Sequence, residues 1–450
     1  MDETPSSASE VSPLALRWPA LVTALYWIAV ESSFRLELGM FQRFMLRVVA
    51  LLVLLLFLVI WGLSRRHFTW RQRLLALGGT VVASVVVAAA ADASLGASGV
   101  MMAGLPIALT AATWLGVFFG NGSPRRHLKL YALGVALGLI PFTMLRWKGL
   151  DGNQRSDMAW RWTPTSEELF LASRSESGAA DDVPPDQSQA PGQLQAPEAQ
   201  EGDWTSFRGG SADATVATGT LGDDWKTSPP RELWRRRVGP GWASLIAVGD
   251  WLYTQEQRGT AECVVAYSAV DGSEVWVYSA PQNDFRFDQS LSGAGPRATP
   301  TFHKGRIYAY GAGGHLCCLD AATGAELWTH EVIEESSAAI PQWGSATSPV
   351  VWENALVVFA GGAQDEGLLA YDLQTGQKLW GVPAGQISYA TPLPVSLEGV
   401  DQLIVHDETG VYSLASGTHE RLWEHRSESA ASFQPMIQPH LLPDGKIVVG

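Results

Sequence analysis

From Trp204 onward the chain repeats itself, and the repeat restricts its fold more than any other feature. Four segments end alike: "VVAYSAVDGSEVW" at Trp276, "LCCLDAATGAELW" at Trp328, "LLAYDLQTGQKLW" at Trp380 and "VYSLASGTHERLW" at Trp423. A shorter "PRELW" ends at Trp234, and the intervals between the five tryptophans are 42, 52, 52 and 43 residues. Self-similarity at that period is the signature of four-stranded propeller blades. Within each unit, as in "RIYAYGAGGHLCCLD", apolar and polar residues alternate and glycine breaks the runs. That is strand and hairpin grammar rather than helical periodicity.

The motif explains its own spacing. In "DAATGAELW" the Asp320 carboxylate and Thr323 hydroxyl can bond turn amides, and Gly324 supplies a positive φ. A tight turn between two outer strands follows, and Trp328 then opens the last strand, where its ring can cover the next blade. A blade buries its faces only against neighbours, so the unit must recur. Trp234, Trp276, Trp328, Trp380 and Trp423 are the expected blade-docking residues.

A quieter repeat opens each innermost strand: "GWASLIAVGDWLY", "GPRATPTFHKGRIY", "GSATSPVVWENALVV", "SYATPLPVSLEGVDQLIV" and "SFQPMIQPHLLPDGKIVV". One register of successive inner strands rings one end of the axial channel. The expected mouth residues are Trp242, Arg297, Ser345 and Tyr389, with Ser244, Thr299, Thr347, Thr391 and Gln434 beside them. Aromatic rings, hydroxyls and one arginine suit a planar or anionic ligand. The alternative is that the hydroxyls satisfy inner-strand amides.

The first 150 residues differ in kind. Residues 44–63, 74–91, 101–119 and 128–145 are strongly apolar and each is close to the length that crosses a bilayer as a helix. A weaker stretch, 16–30, is read as a fifth span retained in the mature chain, because no small-residue cleavage site follows it. Arg65, Arg66, Arg71 and Arg73 in one loop and Arg125, Arg126 and Lys129 in another mark the cytoplasmic side, whereas the loop near 92–100 carries only Asp92. The N-terminus is therefore expected inside and everything after Met144 outside. No Asp, Glu or His lies mid-span, so these helices read as an anchor rather than an ion pathway.

Between the two halves, "SESGAADDVPPDQSQAPGQLQAPEAQEGD" is too poor in large apolar residues to fold and reads as a flexible tether. The preceding "TPTSEELFLAS" reads as a short helix capped by Thr165 or Ser166, with Glu167 or Glu168 in its first turn, lying near the membrane surface. The domains are thus 1–150 (transmembrane anchor), 151–203 (juxtamembrane segment and linker) and 204–450 (propeller). The fold class is a helical transmembrane bundle of about five spans followed by an all-β propeller.

The relaxed motif A-x-D-x-x-x-T-G-x-x-x-W resembles the tryptophan-docking motif of the pyrroloquinoline quinone (PQQ)-like β-propellers. Asp372, Thr375, Gly376 and Trp380 match it best, while the unit at Trp276 has Ser268 and Asp271 at the Asp and Thr positions and the unit at Trp423 has Gly417 displaced. "WTSFRGG" at 204–210 also looks like the lead-in to such propellers in bacterial envelope proteins. The resemblance covers about residues 204–450. The family commonly has eight blades and this segment supplies about five, so the sequence is expected to be a fragment.

Two functions are compatible with the resemblance. One is a non-catalytic binding or scaffold module of the cell envelope, similar to the scaffold lipoproteins of outer-membrane assembly, with a protein or small ligand as partner. The other is a membrane-bound PQQ-dependent quinoprotein dehydrogenase acting on a sugar or alcohol. It would need calcium beside the quinone and a carboxylate base, for which Asp284, Asp288, Glu353 and Asn354 are loose candidates that no motif unites. Such dehydrogenases carry a vicinal disulfide, but Cys317–Cys318 sits at a strand position and reads as core filling. His303, His315 and His406 stand singly. A formal charge of −14 and the lack of a basic cluster after Lys148 argue against nucleic acid. The resemblance implies the inner membrane, with a periplasmic propeller.

Overall fold

The computed structural model describes residues 17–36, 38–64, 68–120, 123–150, 155–176, 196–216, 222, 224–281, 293–426, 434–442 and 444–449. Arg65, Arg66, Asp284, Asp288 and most of the tether lie outside the described residues. The chain divides into two compact units, Met1–Pro164 and Thr165–Gly450. The β-hairpin that follows the helices therefore belongs with them, and the short helix after Pro164 belongs with the propeller.

The first unit comprises α1 (Arg17–Arg35), α2 (Met40–Ser64), α3 (Trp70–Ala90), a short α4 (Gly96–Gly99) running through a π-turn into α5 (Leu105–Phe119), and α6 (Pro124–Leu139). Thr69 opens α3 with a reciprocal cap, its hydroxyl accepting from the Gln72 N–H while the Gln72 side chain accepts from the Thr69 N–H. Among the described residues three helical segments are long and apolar enough to cross a membrane: Phe41–Ser64, Trp70–Ala90 and Gly96–Phe119. Helices α5 and α6 pack most closely, because a Cβ on Gly134 or Gly138 would overlap the backbone of Ala112 or Ala108. The hairpin β1 (Leu145–Leu150) and β2 (Ser156–Trp160) follows, with Arg146 and Arg161 each 3.7 Å from the Asp92 carboxylate.

The second unit opens with α7 (Ser166–Glu176), where Thr165 and Glu168 form the capping box. Four antiparallel sheets of four strands follow in chain order. They are β3 (Ile246–Val248) to β6 (Glu274–Ser279), β7 (Thr301–His303) to β10 (Glu326–Glu331), β11 (Val350–Trp352) to β14 (Lys378–Val382), and β15 (Leu393–Leu397) to β18 (Arg421–Arg426). A two-stranded piece, β19 (His440–Leu441) and β20 (Ile447–Val448), begins a further sheet. Within each complete sheet the strands pair in sequence order, and the first strands of successive sheets neighbour one another, as inner strands around an axis must.

The core lies between sheets. Along β9 (His315–Asp320), Cys317 and Leu319 face the first sheet at Tyr253 and Trp276, while Leu316 and Cys318, with Tyr308 of their own sheet, face the third at Leu356. The two cysteines are free, buried, and point to opposite faces of their strand. Burial pushes the Cys318 thiol up to about 11, which suits a packing residue rather than a nucleophile.

Candidate site at the axial mouth

Each docking turn is built as its sequence requires. Asp320 Oδ1 accepts from the Ala322 and Thr323 amides and the Thr323 hydroxyl, and Asp372 Oδ1 accepts from Gln374 and Thr375 in the same way. In the degenerate first copy the work is shared: Ser268 Oγ accepts from the Val270 and Asp271 amides, and Asp271 Oδ1 from the Ser273 amide and hydroxyl. The tryptophan of one unit then lies on the glycine of the next. Trp234, which lies outside any strand, covers Gly272; Trp276 covers Gly324; Trp328 covers Gly376. The Trp234 and Trp276 indoles also donate to the carbonyls of Ala269 and Ala321 at 2.8 and 3.0 Å. Trp423 instead donates to Gln402 Oε1 of its own sheet, and no turn of a following sheet lies against it among the described residues.

At the start of the inner strands a second set of contacts crosses the same junctions. The Ser244 N–H donates to Thr299 Oγ1 at 3.0 Å, the Thr299 N–H to Ser348 Oγ at 2.9 Å, and the Ser348 N–H to Thr391 Oγ1 at 3.0 Å. Three of these four residues precede proline, which holds them extended and leaves the next position without a donor. Thr299, Ser348 and Thr391 are buried, so their hydroxyls close blade junctions.

This register corrects part of the sequence reading. Ser348 takes the place expected for Thr347, and Ala346 the place expected for Ser345, because hydroxyls are adjacent in "SATSP" and only the proline fixes which one closes the junction. Both displaced residues are buried, Ser345 through a bond from its N–H to the Ala312 carbonyl at 2.8 Å. Gln434 likewise gives way to Gln438, which precedes Pro439 and donates to the Pro392 carbonyl at 3.4 Å.

Two residues earlier stand Trp242, Arg297, Ala346 and Tyr389. Trp242 is 59% exposed. Its N–H donates to the Pro296 carbonyl at 2.8 Å, and the Tyr389 N–H donates to Pro435 at 2.9 Å. The half-buried Arg297 donates to the carbonyls of Gly295 and Gly293 at 2.9 and 3.1 Å. It interacts electrostatically with Tyr389 and with Glu262. Trp343 packs on Tyr389 with centroids 5.0 Å apart, and its N–H donates to the Tyr389 hydroxyl at 3.3 Å.

Sequence reasoning missed Glu262, Trp343 and Ser348. Glu262 Oε2 accepts from the Ala312 N–H at 2.9 Å, and its Oε1 is buried with no hydrogen-bond partner. Burial pushes this carboxyl up to about 7, against the lowering effect of the Ala312 amide and Arg297. Its one legible signal was an acid inside the otherwise apolar strand "AECVVAYS".

The mouth does not supply a calcium site from its described residues. Glu408 accepts from the Gln386 and Ile387 amides, Asp407 from Gly385, and Glu262 from Ala312, each across a loop. No three His, Cys, Asp or Glu among the described residues converge on a point that could hold a metal ion. The candidates Glu353 and Asn354 occupy the turn after β11, at the end of that strand away from Ser348, with φ +52° and +63°. They are corrected to turn residues: Glu353 accepts from the Gly417 N–H at 2.6 Å and lies 2.9 Å from His419 Nε2. His315 bridges the Tyr278 hydroxyl at 3.0 Å and Glu331 at 2.7 Å, across the first two sheets.

The lead-in runs alongside the inner strands. Trp204 pairs with Ala247, the Thr205 carbonyl accepts from Phe302, and Arg208 reaches His440 at 3.3 Å. A cavity of about 340 Å³ lies between this segment and the inner strands, lined in part by Ser206, Thr301, His303, Thr391 and Gln438.

Inner strands shared around an axis, outer-strand tryptophans docked on the next turn, and a polar mouth define a β-propeller of PQQ-like repeats. Residues 227–449 match the family model described as outer membrane protein assembly factor BamB, and this part of the chain belongs to that family of PQQ-like repeats. The chain is also 26% identical over 182 residues to the quinohemoprotein alcohol dehydrogenase ADH-IIG of Pseudomonas putida, which is 37% of this chain and 24% of the relative. It therefore spans about a quarter of that relative's length. Among solved structures, ADH-IIG from P. putida HK5 is 17% identical with a TM-score of 0.40, covering 56% of this chain and 44% of that one. The quinohemoprotein alcohol dehydrogenase of Comamonas testosteroni gives 15% and 0.39 over 56% and 46%. BamB of Moraxella catarrhalis gives 17% and 0.27 over 54% and 74%.

Proposed function

We propose that this chain is a membrane-anchored, extracytoplasmic propeller that acts as a binding or scaffold module of the cell envelope, with a protein or small ligand engaged at the axial mouth. One observation carries the reading: the hydroxyls of Thr299, Ser348 and Thr391 are spent on neighbouring blade amides, and the surface left at the mouth is led by the exposed Trp242, whose N–H bonds the Pro296 carbonyl one residue before Arg297. An exposed tryptophan with an arginine at the same register of the next inner strand is the residue composition of a protein-recognition anchor. The five helical segments of the first unit would form the anchor of an inner-membrane protein, with a cytoplasmic N-terminus and a periplasmic propeller.

The second reading is a PQQ-dependent dehydrogenase oxidising a sugar or alcohol, favoured by the sequence match to the P. putida enzyme. Arg297, Tyr389 and Trp343 would hold a planar anion; bound PQQ would supply the two-electron acceptor. The described carboxylates fit calcium poorly, since no three of them converge on one point.

Titration of the purified full-length protein with PQQ, with and without Ca²⁺, followed by tryptophan fluorescence and a dye-linked assay on sugars and alcohols, separates the two. The scaffold reading predicts no saturable quenching and no turnover from folded protein. Calcium-dependent saturation with turnover would replace it by the enzyme.

A further inference from the structure

We infer that the first unit holds an anionic phospholipid: a groove between its helices takes an acyl chain, and the basic residues at one end of the groove take the head group. A cavity of about 630 Å³ lies between α2, α3, α5 and α6. Along α3 it is lined by Gln72, Ala76, Thr80, Ser84 and Ala88, whose spacing of four puts them on one helix face. That face is roughly 24 Å long, most of the thickness of a hydrocarbon core.

The groove opens sideways. Val59, Val81 and Val85 line it and are 38%, 63% and 63% exposed, so a chain lying alongside the helices can enter between them. An added Cβ at Gly62 on α2 or at Gly78 on α3 would meet no atom within 4 Å, so these two lining positions leave room to be filled. Midway along, the Thr80 hydroxyl donates to the Ala76 carbonyl at 2.8 Å and accepts from the Tyr131 hydroxyl at 2.9 Å. Those groups are spent, and the valine, leucine and alanine wall around them suits hydrocarbon.

One end of the groove selects the head group. Gln72, Arg73 and His127 line it at the starts of α3 and α6, and His127, 6% exposed, has no hydrogen-bond partner for Nε2 among the described residues. Residues 64–73 and 120–129 contain no Asp or Glu. Arg71 and Lys129, each adjacent in sequence to a lining residue, and Arg125 are exposed there. Cations gathered at one end of an interhelical groove attract an anionic head, whereas a neutral prenyl quinone gains nothing from them.

The site rests on the reading of these helices as a membrane anchor, which carbonate extraction tests by itself: full-length protein released from membranes would remove the anchor and the site together. With the anchor intact, native mass spectrometry of delipidated full-length protein in detergent tests the site, titrated with phosphatidylglycerol, with phosphatidylcholine of the same chains, and with ubiquinone. Phosphatidylglycerol should saturate a single site with an affinity on the order of tenfold above phosphatidylcholine. Arg125→Gln and Lys129→Gln should each weaken phosphatidylglycerol by about fivefold and leave phosphatidylcholine unchanged. Gly78→Leu and Gly62→Leu fill the groove and should weaken both phospholipids, while Gly79→Leu, equally open but outside the lining, should weaken neither. Leucine outranks glycine in a helix, so all three substitutions preserve α2 and α3. The proposal is overturned by equal affinity for the two phospholipids, by a Gly79→Leu loss as large as that of Gly78→Leu, or by ubiquinone displacing phosphatidylglycerol, which would make the groove a site for a neutral prenyl chain.

Discussion

Trp380 and His419 stack across the junction between the third and fourth sheets, ring centroids 4.1 Å apart and planes inclined by 24°. At the three preceding junctions the tryptophan meets a glycine, and His419 stands at that glycine position, four residues before Trp423. It keeps the left-handed backbone, φ +57°, and its ring replaces the close approach with a stack tied to Glu353 at 2.9 Å. The motif that looked displaced in the sequence is substituted, with the backbone geometry kept.

His419→Ala should therefore cost more than His419→Gly. Alanine retains the positive-φ penalty of about 1–2 kcal/mol and loses the ring, whereas glycine loses the ring and gains backbone ease. Thermal unfolding of the full-length protein in detergent should rank the three parent > Gly > Ala. Alanine at or above glycine would mean that the stack and not the backbone governs this junction.

The docking glycines give a matched comparison. At Gly324 and Gly376, φ is +70° and +73° and an added Cβ would press on the rings of Trp276 and Trp328, whereas at Gly417 φ is +81° but the space is open. Alanine at either of the first two should destabilise by about 2–4 kcal/mol, and at Gly417 by about 1 kcal/mol. Equal losses at all three would remove tryptophan docking as the cause.

Glu262 predicts a pH dependence. Its carboxyl is held at about 7 by burial, above its usual value, so folding favours the protonated form. That contribution is complete below the unfolded value near pH 4.3 and is lost as the pH rises through about 7. Glu262→Gln, which keeps an acceptor for the Ala312 N–H, should be near-neutral at pH 5 and stabilising by about 1–3 kcal/mol at pH 8.5. Melting curves at the two pH values check the sign; a Gln advantage confined to pH 5 would refute it.

Beneath α7, the buried Glu256 accepts from the Gly239 N–H at 3.1 Å and the Tyr267 hydroxyl at 3.0 Å as well as pairing with Arg258. Glu256→Ala takes the acceptor from the buried Gly239 N–H and Tyr267 hydroxyl and leaves Arg258 with Glu274 alone, and should cost about 3–5 kcal/mol. Loss of Arg235–Glu232, an exposed pair at 2.6 Å, should have no comparable effect, because water screens it. Urea unfolding of the two variants measures the contrast.

What the sequence determined by itself is what the backbone must do locally. Asp320, Thr323 and Gly324 form a turn whatever surrounds them, since the bonds lie within six residues. Thr165 and Glu168 cap a helix for the same reason. The period of the tryptophans then required sheets that cover one another, and apolar runs in the first 150 residues required long helices.

The tertiary structure decided which groups meet across the chain. Ser348 rather than Thr347 closes a junction because its Oγ lies opposite the Thr299 amide 49 residues away. Glu262 becomes half-neutral near pH 7 because a neighbouring blade buries it. Phe170 is buried because the Arg258 guanidinium covers its ring while Glu274 pairs with Arg174 beside it. Turn chemistry is written in adjacent residues, whereas desolvation and pairing depend on distances that exist only once the sheets have packed.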